Sequence, residues 1–438
     1  MEATLTDASA AVNDAPCVRR DCDWPGRWKD LHTYLERPGP MQGDGFESGN
    51  NVKAFLHACK ILVIGAGGLG CELLKNLALS GFTDIHLIDM DTIDVSNLNR
   101  QFLFRRTDIG KSKAIVAAEF IMRRIPGVLV TPYYGKIQDK DETYYSQFSI
   151  IICGLDSVEA RRWINATIVG MFDQDIPETL KPIIDGGTEG FKGQSRVILP
   201  RITACYECSL DMQTKPVTFP MCTIANTPRL PEHCIEWASS VAWPKEFPDK
   251  RVDGDDPEHI RWLQTIASER ACEFSITGVT YTLTQGVVKN IIPAIASTNA
   301  IVAASCANEA FKIATNCATY MNNYMMYTGD QGVYSYTFEL QQKEDCPVCG
   351  SAELSLAISG DKTLADLIDM LLETQEIQLK SPSLRTATSS LYMQAPKMLR
   401  EATLPNLQRK LKDLISPGEL ITVTDALLPI SLELKLQL

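Results

Sequence analysis

The chain has 438 residues, 45% of them hydrophobic, a formal net charge of −12 and fourteen cysteines. That length points to about three domains, and the composition supports large cores. The negative charge argues against a nucleic-acid binder and against docking on an anionic membrane. Residues 1–16 have neither a basic start nor an apolar run, so no secretion signal is visible and the cysteines read as thiols, metal ligands or a nucleophile.

Residues 1–26 are small and polar, and we expect a disordered extension. Trp28, Leu31 and Leu35 are spaced for a short helix that Pro38-Gly39-Pro40 ends, and 41–51 reads as loop. Ile61 to Ile64 reads as a buried parallel strand. Gly65, Gly67 and Gly70, with Gly68 between them, fit G-x-G-x-x-G behind it. Such a turn lets backbone N–H groups approach a phosphate at the start of the next helix, whose stripe is Leu69, Leu73, Leu74 and Leu77. Ile85 to Ile88 is a second strand, and Asp89 ends it where an acid accepts from ribose hydroxyls. Strand, turn, helix, strand and acid in one unit predict nucleotide binding.

A dehydrogenase needs only the acid on the ribose. Here Asp91, Asn97, Arg100, Gln101 and Lys113 follow, and cations suited to triphosphate oxygens favour ATP over a nicotinamide cofactor. Residues 114–124 read as helix, 128–132 and 149–153 as strands, 157–171 as helix and 182–184 as strand. Asp156 follows a strand end, within reach of the same crevice, and can hold Mg2+. The alternation predicts a doubly wound α/β sheet over 27–210.

At 185–190 the pattern breaks into glycine, and strand resumes at 195–199. Prolines and helical patches then predict an inserted, mainly helical domain over 211–286. Residues 287–314 read as one long buried helix, too polar for a membrane span. Strand-like runs at Met326 and 334–339 complete the sheet within 287–350. Residues 351–438 form a smaller module of strands around one helix, 363–372, which Asp361 is expected to cap; this suggests a β-grasp, ubiquitin-like roll.

Cys205-x-x-Cys208 and Cys346-x-x-Cys349 each have zinc-knuckle spacing, and four thiolates make a closed, structural zinc site at the two ends of an insertion. Unrelated core thiols or a redox pair are the alternative. Cys222 sits early in the insertion on a proline-marked loop, apart from the pairs; taken alone it reads better as a buried inert thiol than as a nucleophile. His233 and Cys234 carry a weak base or ligand signal, and a packing role reads better for them.

From Arg27 onward the chain resembles the ubiquitin-like-modifier activating enzymes, which share a ThiF/MoeB-like adenylation fold. Gly-Ala-Gly-Gly-Leu-Gly at 65–70, Asp-Met-Asp-Thr-Ile-Asp at 89–94, Ser-Asn-Leu-Asn-Arg-Gln-Phe at 96–102, Gly-Lys-Ser-Lys-Ala at 110–114 and Gly-Leu-Asp-Ser at 154–157 are similar to its adenylation motifs. Phe-Pro-Met-Cys-Thr-Ile at 219–224 is similar to its catalytic-cysteine segment. Pro228-Arg-Leu-Pro-Glu-His-Cys-Ile and Asp255-Asp-Pro-Glu-His-Ile point to the neddylation (Rub-type) branch, while Asn226-Thr-Pro also resembles the sumoylation branch.

The resemblance implies a ligase that turns ATP into AMP and pyrophosphate. It would adenylate a modifier's C-terminal glycine, form a thioester on Cys222, and pass the modifier to a conjugating enzyme for neddylation of cullins. Gly65 to Gly70, Asp89, Asp91, Asn97 and Gln101 would bind ATP, Arg100 and Lys113 would stabilise developing charge, and Asp156 would bind Mg2+. By position Arg196 is similar to the residue that rejects modifiers whose tails carry arginine. One adenylation-like half implies an obligate heterodimer with a second such regulatory subunit, and the module at 351–438 would bind the conjugating enzyme. A cytoplasmic and nuclear location is expected, without nucleic acid or membrane partners. Two rivals remain in view: a nicotinamide dehydrogenase and a non-catalytic scaffold.

Overall fold

The structure is a computed structural model. It describes residues 26–437 except 40–41, 44–45, 213–220, 249, 251, 254–255, 289–293, 319–320, 351–353, 374–378, 380, 387–388, 396, 416–417 and 426–430. The expected N-terminal extension therefore lies almost wholly outside the described residues.

The first sheet holds β1 (Lys60–Ile64), β2 (Asp84–Asp89), β3 (Leu129–Tyr134), β4 (Ile150–Cys153), β5 (Ile183–Glu189), β6 (Lys192–Ile198), β7 (Tyr324–Thr328) and β8 (Tyr334–Phe338). Their order is β3-β2-β1-β4-β5-β6-β7-β8. The first five run parallel and the last three are added antiparallel. All of β4 and all of β1 but Lys60 are buried, as expected for central strands covered on both faces. Chain order reverses between β1 and β4, so a crevice opens at their C-terminal ends.

Helices Gly68–Leu79, Lys113–Arg124 and Ala296–Thr315 bury Leu73, Leu77, Ala117, Ile121, Val302 and Cys306 against one face. Helix Val158–Gly170 buries Ile164 and Ile168 against the other, beside Tyr145, Phe148 and the four paired cysteines. Among the described residues no helix is long and apolar enough to cross a membrane.

The expected glycine break at 185–190 is a continuous strand. β5 runs to Glu189 and pairs with β6 from Ile183↔Ile198 to Glu189↔Lys192. Glycines on these two strands answer to packing: a Cβ on Gly186 of β5 would stand 2.9 Å from Leu69 Cδ2 and 3.0 Å from Cys306 Sγ, and one on Gly193 of β6 2.5 Å from Val302 Cγ2. Helices Gly68–Leu79 and Ala296–Thr315 thus rest almost directly on strand backbone.

Between β6 and β7 the chain builds a helical cluster. Helices Pro231–Trp237, Pro257–Glu273 and Tyr281–Val288 share a core of Cys234, Ile235, Trp243, Leu263 and Ala267. The single helix expected over 287–314 is instead two, Tyr281–Val288 and Ala296–Thr315; residues 289–293, which carry Pro293, lie outside the described residues. The first helix packs within the cluster and the second on the sheet.

A second sheet holds β9 (Leu354–Ala357), β10 (Pro382–Thr386), β11 (Ser390–Tyr392), β12 (Leu420–Asp425) and β13 (Ser431–Gln437), in the order β11-β10-β12-β13-β9. β13 pairs parallel with β9 and antiparallel with β12. Helix Leu364–Glu373 lays Leu364, Leu367 and Leu371 on this ubiquitin-fold-like sheet, meeting Leu384, Ile421, Val423 and Leu434. Its cap is Thr363 rather than Asp361: Thr363 Oγ1 accepts from Asp366 N at 3.2 Å, and Asp366 Oδ2 accepts from Thr363 N at 2.8 Å. Asp361 instead pairs with Lys410 and Lys412.

Candidate active site and cysteine cluster

The glycine turn follows from backbone approach. Gly65 has φ +99°, and a Cβ there would stand 2.6 Å from Gly154 O, so the ends of β1 and β4 touch. A Cβ on Gly70 would stand 1.9 Å from Gly65 O, which only glycine permits. The helix that begins at Gly68 has Gly67 as its N-cap and no side-chain cap bond. Its first N–H groups are left for another acceptor, the arrangement that suits a phosphate.

Asp89 is buried, and its oxygens are already engaged. Oδ2 accepts from Ala66 N at 2.6 Å and Oδ1 from Asp91 N at 2.8 Å. The acid ties the glycine turn to the end of β2, with lone pairs left for a ribose. Burial pushes its pKa up, against those two hydrogen bonds. Asp91 meets Lys113, with Nζ 2.8 Å from Oδ2. Asn97 is half-buried and closes the turn after β2, its Oδ1 accepting from Asp94 N at 3.0 Å. Gln101 is buried, its Nε2 3.9 Å from where a Cβ on Gly67 would be, and its Oε1 has no partner among the described residues. Arg100 lies along Gly68 and donates from Nη1 to Ser96 O and Asn99 Oδ1, both at 3.0 Å. Asp156 is exposed just beyond β4.

Two groups had no signal in the sequence. Asn299, buried on helix Ala296–Thr315, accepts from Thr188 Oγ1 at 2.8 Å, and its Nδ2 stands 2.4 Å from where a Cβ on Gly68 would be. It links the glycine turn to β5. Asp185 on β5 lies 3.1 Å from Arg161 Nε and 3.5 Å from Arg196 Nε, and also accepts from Gln194 at 3.0 Å. Arg161 further donates to Leu155 O and Gly186 O at 2.6 and 2.9 Å. Arg196 is only 6% exposed, bonded to Ser209 and set over the rings of Tyr206 and Tyr324. It is therefore part of a buried cluster rather than a lone charge at the surface.

The four paired cysteines converge. Cys205, Cys208, Cys346 and Cys349 are buried, with all Sγ atoms within 4.8 Å of one another. The separations Cys205–Cys346, Cys208–Cys349 and Cys205–Cys208 are 3.5, 3.4 and 4.0 Å. A tetrahedral zinc with Zn–S near 2.3 Å sets sulfur–sulfur edges of about 3.8 Å, so the donor set fits. Lys343 N donates to Cys208 Sγ at 3.5 Å, as backbone amides do around thiolates. Glu207 within the first pair meets Arg162 at 2.8 Å, both buried, and Tyr206 N donates to Asn165 Oδ1 at 3.0 Å. The cluster is thus pinned to the helix that starts beside Asp156.

Cys222 lies on a short helix, Met221–Asn226, and not on a loop; its side chain is outside the described residues. His233 is buried and accepts from Arg229 N at 3.1 Å through Nδ1, the packing role expected of it.

A crevice of this kind joined to a ubiquitin-fold-like module defines a class. The ThiF family model matches residues 47–348 and the E2 binding domain model residues 357–438. The chain is 53% identical over 432 residues to a Dictyostelium discoideum NEDD8-activating enzyme E1 catalytic subunit, covering 95% of this chain and 97% of that one. It is 51% identical over 426 residues to the Drosophila melanogaster protein of that name, covering 94% and 95%, and 48% identical over 427 residues to the Schizosaccharomyces pombe one, covering 92% and 95%. A looser likeness, TM-score 0.46 at 20% identity over 68% of this chain and 69% of that chain, runs to a crystal structure of E. coli MccB. The chain belongs to the ThiF family and, within it, to the NEDD8-activating enzyme E1 catalytic subunits. The sumoylation alternative is not favoured, and family membership displaces the dehydrogenase reading.

Proposed function

We propose that this chain activates a NEDD8-type modifier with ATP and passes it to a conjugating enzyme. The observation that carries the proposal is the uncapped helix start at Gly68 beside buried Asp89, in a chain about half identical to enzymes of that name. ATP lies with its phosphates on the turn, its ribose on Asp89 and its remaining polar edge on Asn97 and Gln101, whose Oε1 awaits a donor. A C-terminal carboxylate oxygen of the modifier attacks the α-phosphorus and pyrophosphate leaves. Lys113, aligned by Asp91, and Arg100 face the charge that develops. Mg2+, held by Asp156, supplies further charge neutralisation when bound. The thiolate sulfur of Cys222 then attacks the acyl carbon, AMP leaves, and a thioester remains. The helical insertion moves to bring Cys222 to the adenylate.

Arg161, Asp185 and Arg196 bear two positive charges and one negative, leaving one positive charge beside the strand where the tail passes. That surplus disfavours a tail carrying arginine. Zinc in the four-cysteine cluster supplies structure only. The partners are a second adenylation-like subunit, the modifier, and a conjugating enzyme on residues 357–438, in cytoplasm and nucleus. The domain limits follow the same reading: adenylation at 27–210 and 287–350, catalytic cysteine at 211–286 and conjugating-enzyme docking at 351–438.

The test is reconstitution with the partner subunit, ATP and each candidate modifier. Cys222→Ala should keep ATP–pyrophosphate exchange and lose the thiol-sensitive adduct; an adduct on that variant removes Cys222 from its role.

A further inference from the structure

The six-residue helix that carries Cys222 is too short to stand alone, because helix nucleation is unfavourable and its last carbonyls lack partners within the helix. Ile224, 3% exposed, anchors its underside. Its C-terminal end is held by one side chain from a different helix. Arg270, on Pro257–Glu273, donates from Nη2 to Ile224 O at 3.0 Å and to Ala225 O at 2.6 Å. Its guanidinium lies 4.0 Å from the ring centre of Trp237 and 5.2 Å from that of Phe274. A planar cation held over two rings leaves its place only by losing both, and its charge sits at the negative end of the helix it holds.

We propose that Arg270 is a positioning residue for acyl transfer, a latch that fixes the Met221–Asn226 helix and with it the backbone of Cys222. The proposal rests on the reading of Cys222 as acyl acceptor. Among the described residues the contacts of Arg270 are with Ile224, Ala225, Trp237 and Phe274, away from the crevice behind β1, so adenylation and transfer should respond differently to its loss. Breaking its two hydrogen bonds releases the helix and leaves the core of Cys234, Ile235 and Leu263 in place.

The experiment uses the full heterodimer with modifier and ATP. Arg270→Met keeps the aliphatic stem and removes the donors. It should leave ATP–pyrophosphate exchange within about twofold and slow thioester formation roughly tenfold or more. Amide exchange should quicken at 223–226 while 263–271 stays protected. Arg270→Lys keeps the charge but not the fork, and should recover part of the rate. A wild-type thioester rate in Arg270→Met, or unchanged exchange at 223–226, overturns the latch. If Arg270→Met also loses protection at 263–271, Arg270→Lys decides: with that protection restored, slowed transfer upholds the proposal and a wild-type rate overturns it. Cys222→Ala is run in parallel, and a thiol-sensitive adduct on it sinks the reading of Cys222 without bearing on the hydrogen bonds of Arg270.

Discussion

Asp89→Asn tests the crevice most directly. The carboxylate accepts two backbone N–H groups, from Ala66 at 2.6 Å and Asp91 at 2.8 Å. An amide offers one acceptor oxygen, so in either orientation its NH2 faces one of these donors. The loss combines a charge-assisted hydrogen bond with an orphaned buried donor, together about 2–4 kcal/mol. Most of it falls on the glycine turn, which must stay shaped for phosphate. We therefore expect ATP affinity to fall at least roughly thirtyfold, since about 1.4 kcal/mol is a factor of ten. Calorimetric ATP binding and the ATP KM of pyrophosphate exchange both report it. Burial raises the Asp89 pKa, so acidification protonates this acceptor sooner than an exposed aspartate, and binding weakens as pH falls through the raised value. Asp89→Asn should flatten that acid limb. ATP affinity within threefold of wild type, with an unchanged acid limb, would refute the reasoning.

The other expectations concern the scaffold. Burial, with Lys60 adding to it, lowers the His86 pKa from 6.5 to about 4, against the opposing pull of Asp84. The unfolded chain then takes up the proton first, so stability is lost as pH falls from about 6.5 to about 4. After discounting for solvent around the ring the loss is about 1–2 kcal/mol, and His86→Gln should shrink the drop in unfolding midpoint over that range; an identical drop counts against it. Gly193→Ala places a Cβ 2.5 Å from Val302 Cγ2 and should destabilise by about 1–3 kcal/mol in denaturant titration. Adding Val302→Ala should recover part of that loss, and additive losses would contradict the packing argument. Cys346→Ser should lower bound zinc, measured by elemental analysis, from about one equivalent toward none, with a lower unfolding midpoint. Undiminished zinc would exclude the cluster as its site.

The β1–turn–β2 unit could be read from the sequence because its causes are local: glycines placed by spacing, a leucine stripe, an acid at a strand end. The cysteine pairs were readable for the same reason, although only the fold brings Cys205 within 3.5 Å of Cys346. What escaped has causes distant in sequence. Gly186 reads as part of a break because its neighbour Cys306 comes from a helix far later in the chain, beginning at Ala296. Asn299 meets Thr188 across 111 positions, and no local pattern marks either. Arg196 was placed by resemblance; its partner Asp185 comes from the facing strand. Thr363 and Asp361 are both good caps by residue type, and only the reciprocal bonds with Asp366 decide between them.

In the second sheet β13 lies between β12 and β9, not at a margin. Its removal leaves β11-β10-β12 paired but takes from β9 its partner strand among the described residues. During synthesis the ribosome releases β9 through β12 first, and Leu432, Leu434 and Leu436 join the core of this module only when β13 arrives. The first sheet is by then already available to close. A nascent molecule can therefore own its nucleotide crevice before it owns the module that docks its acceptor.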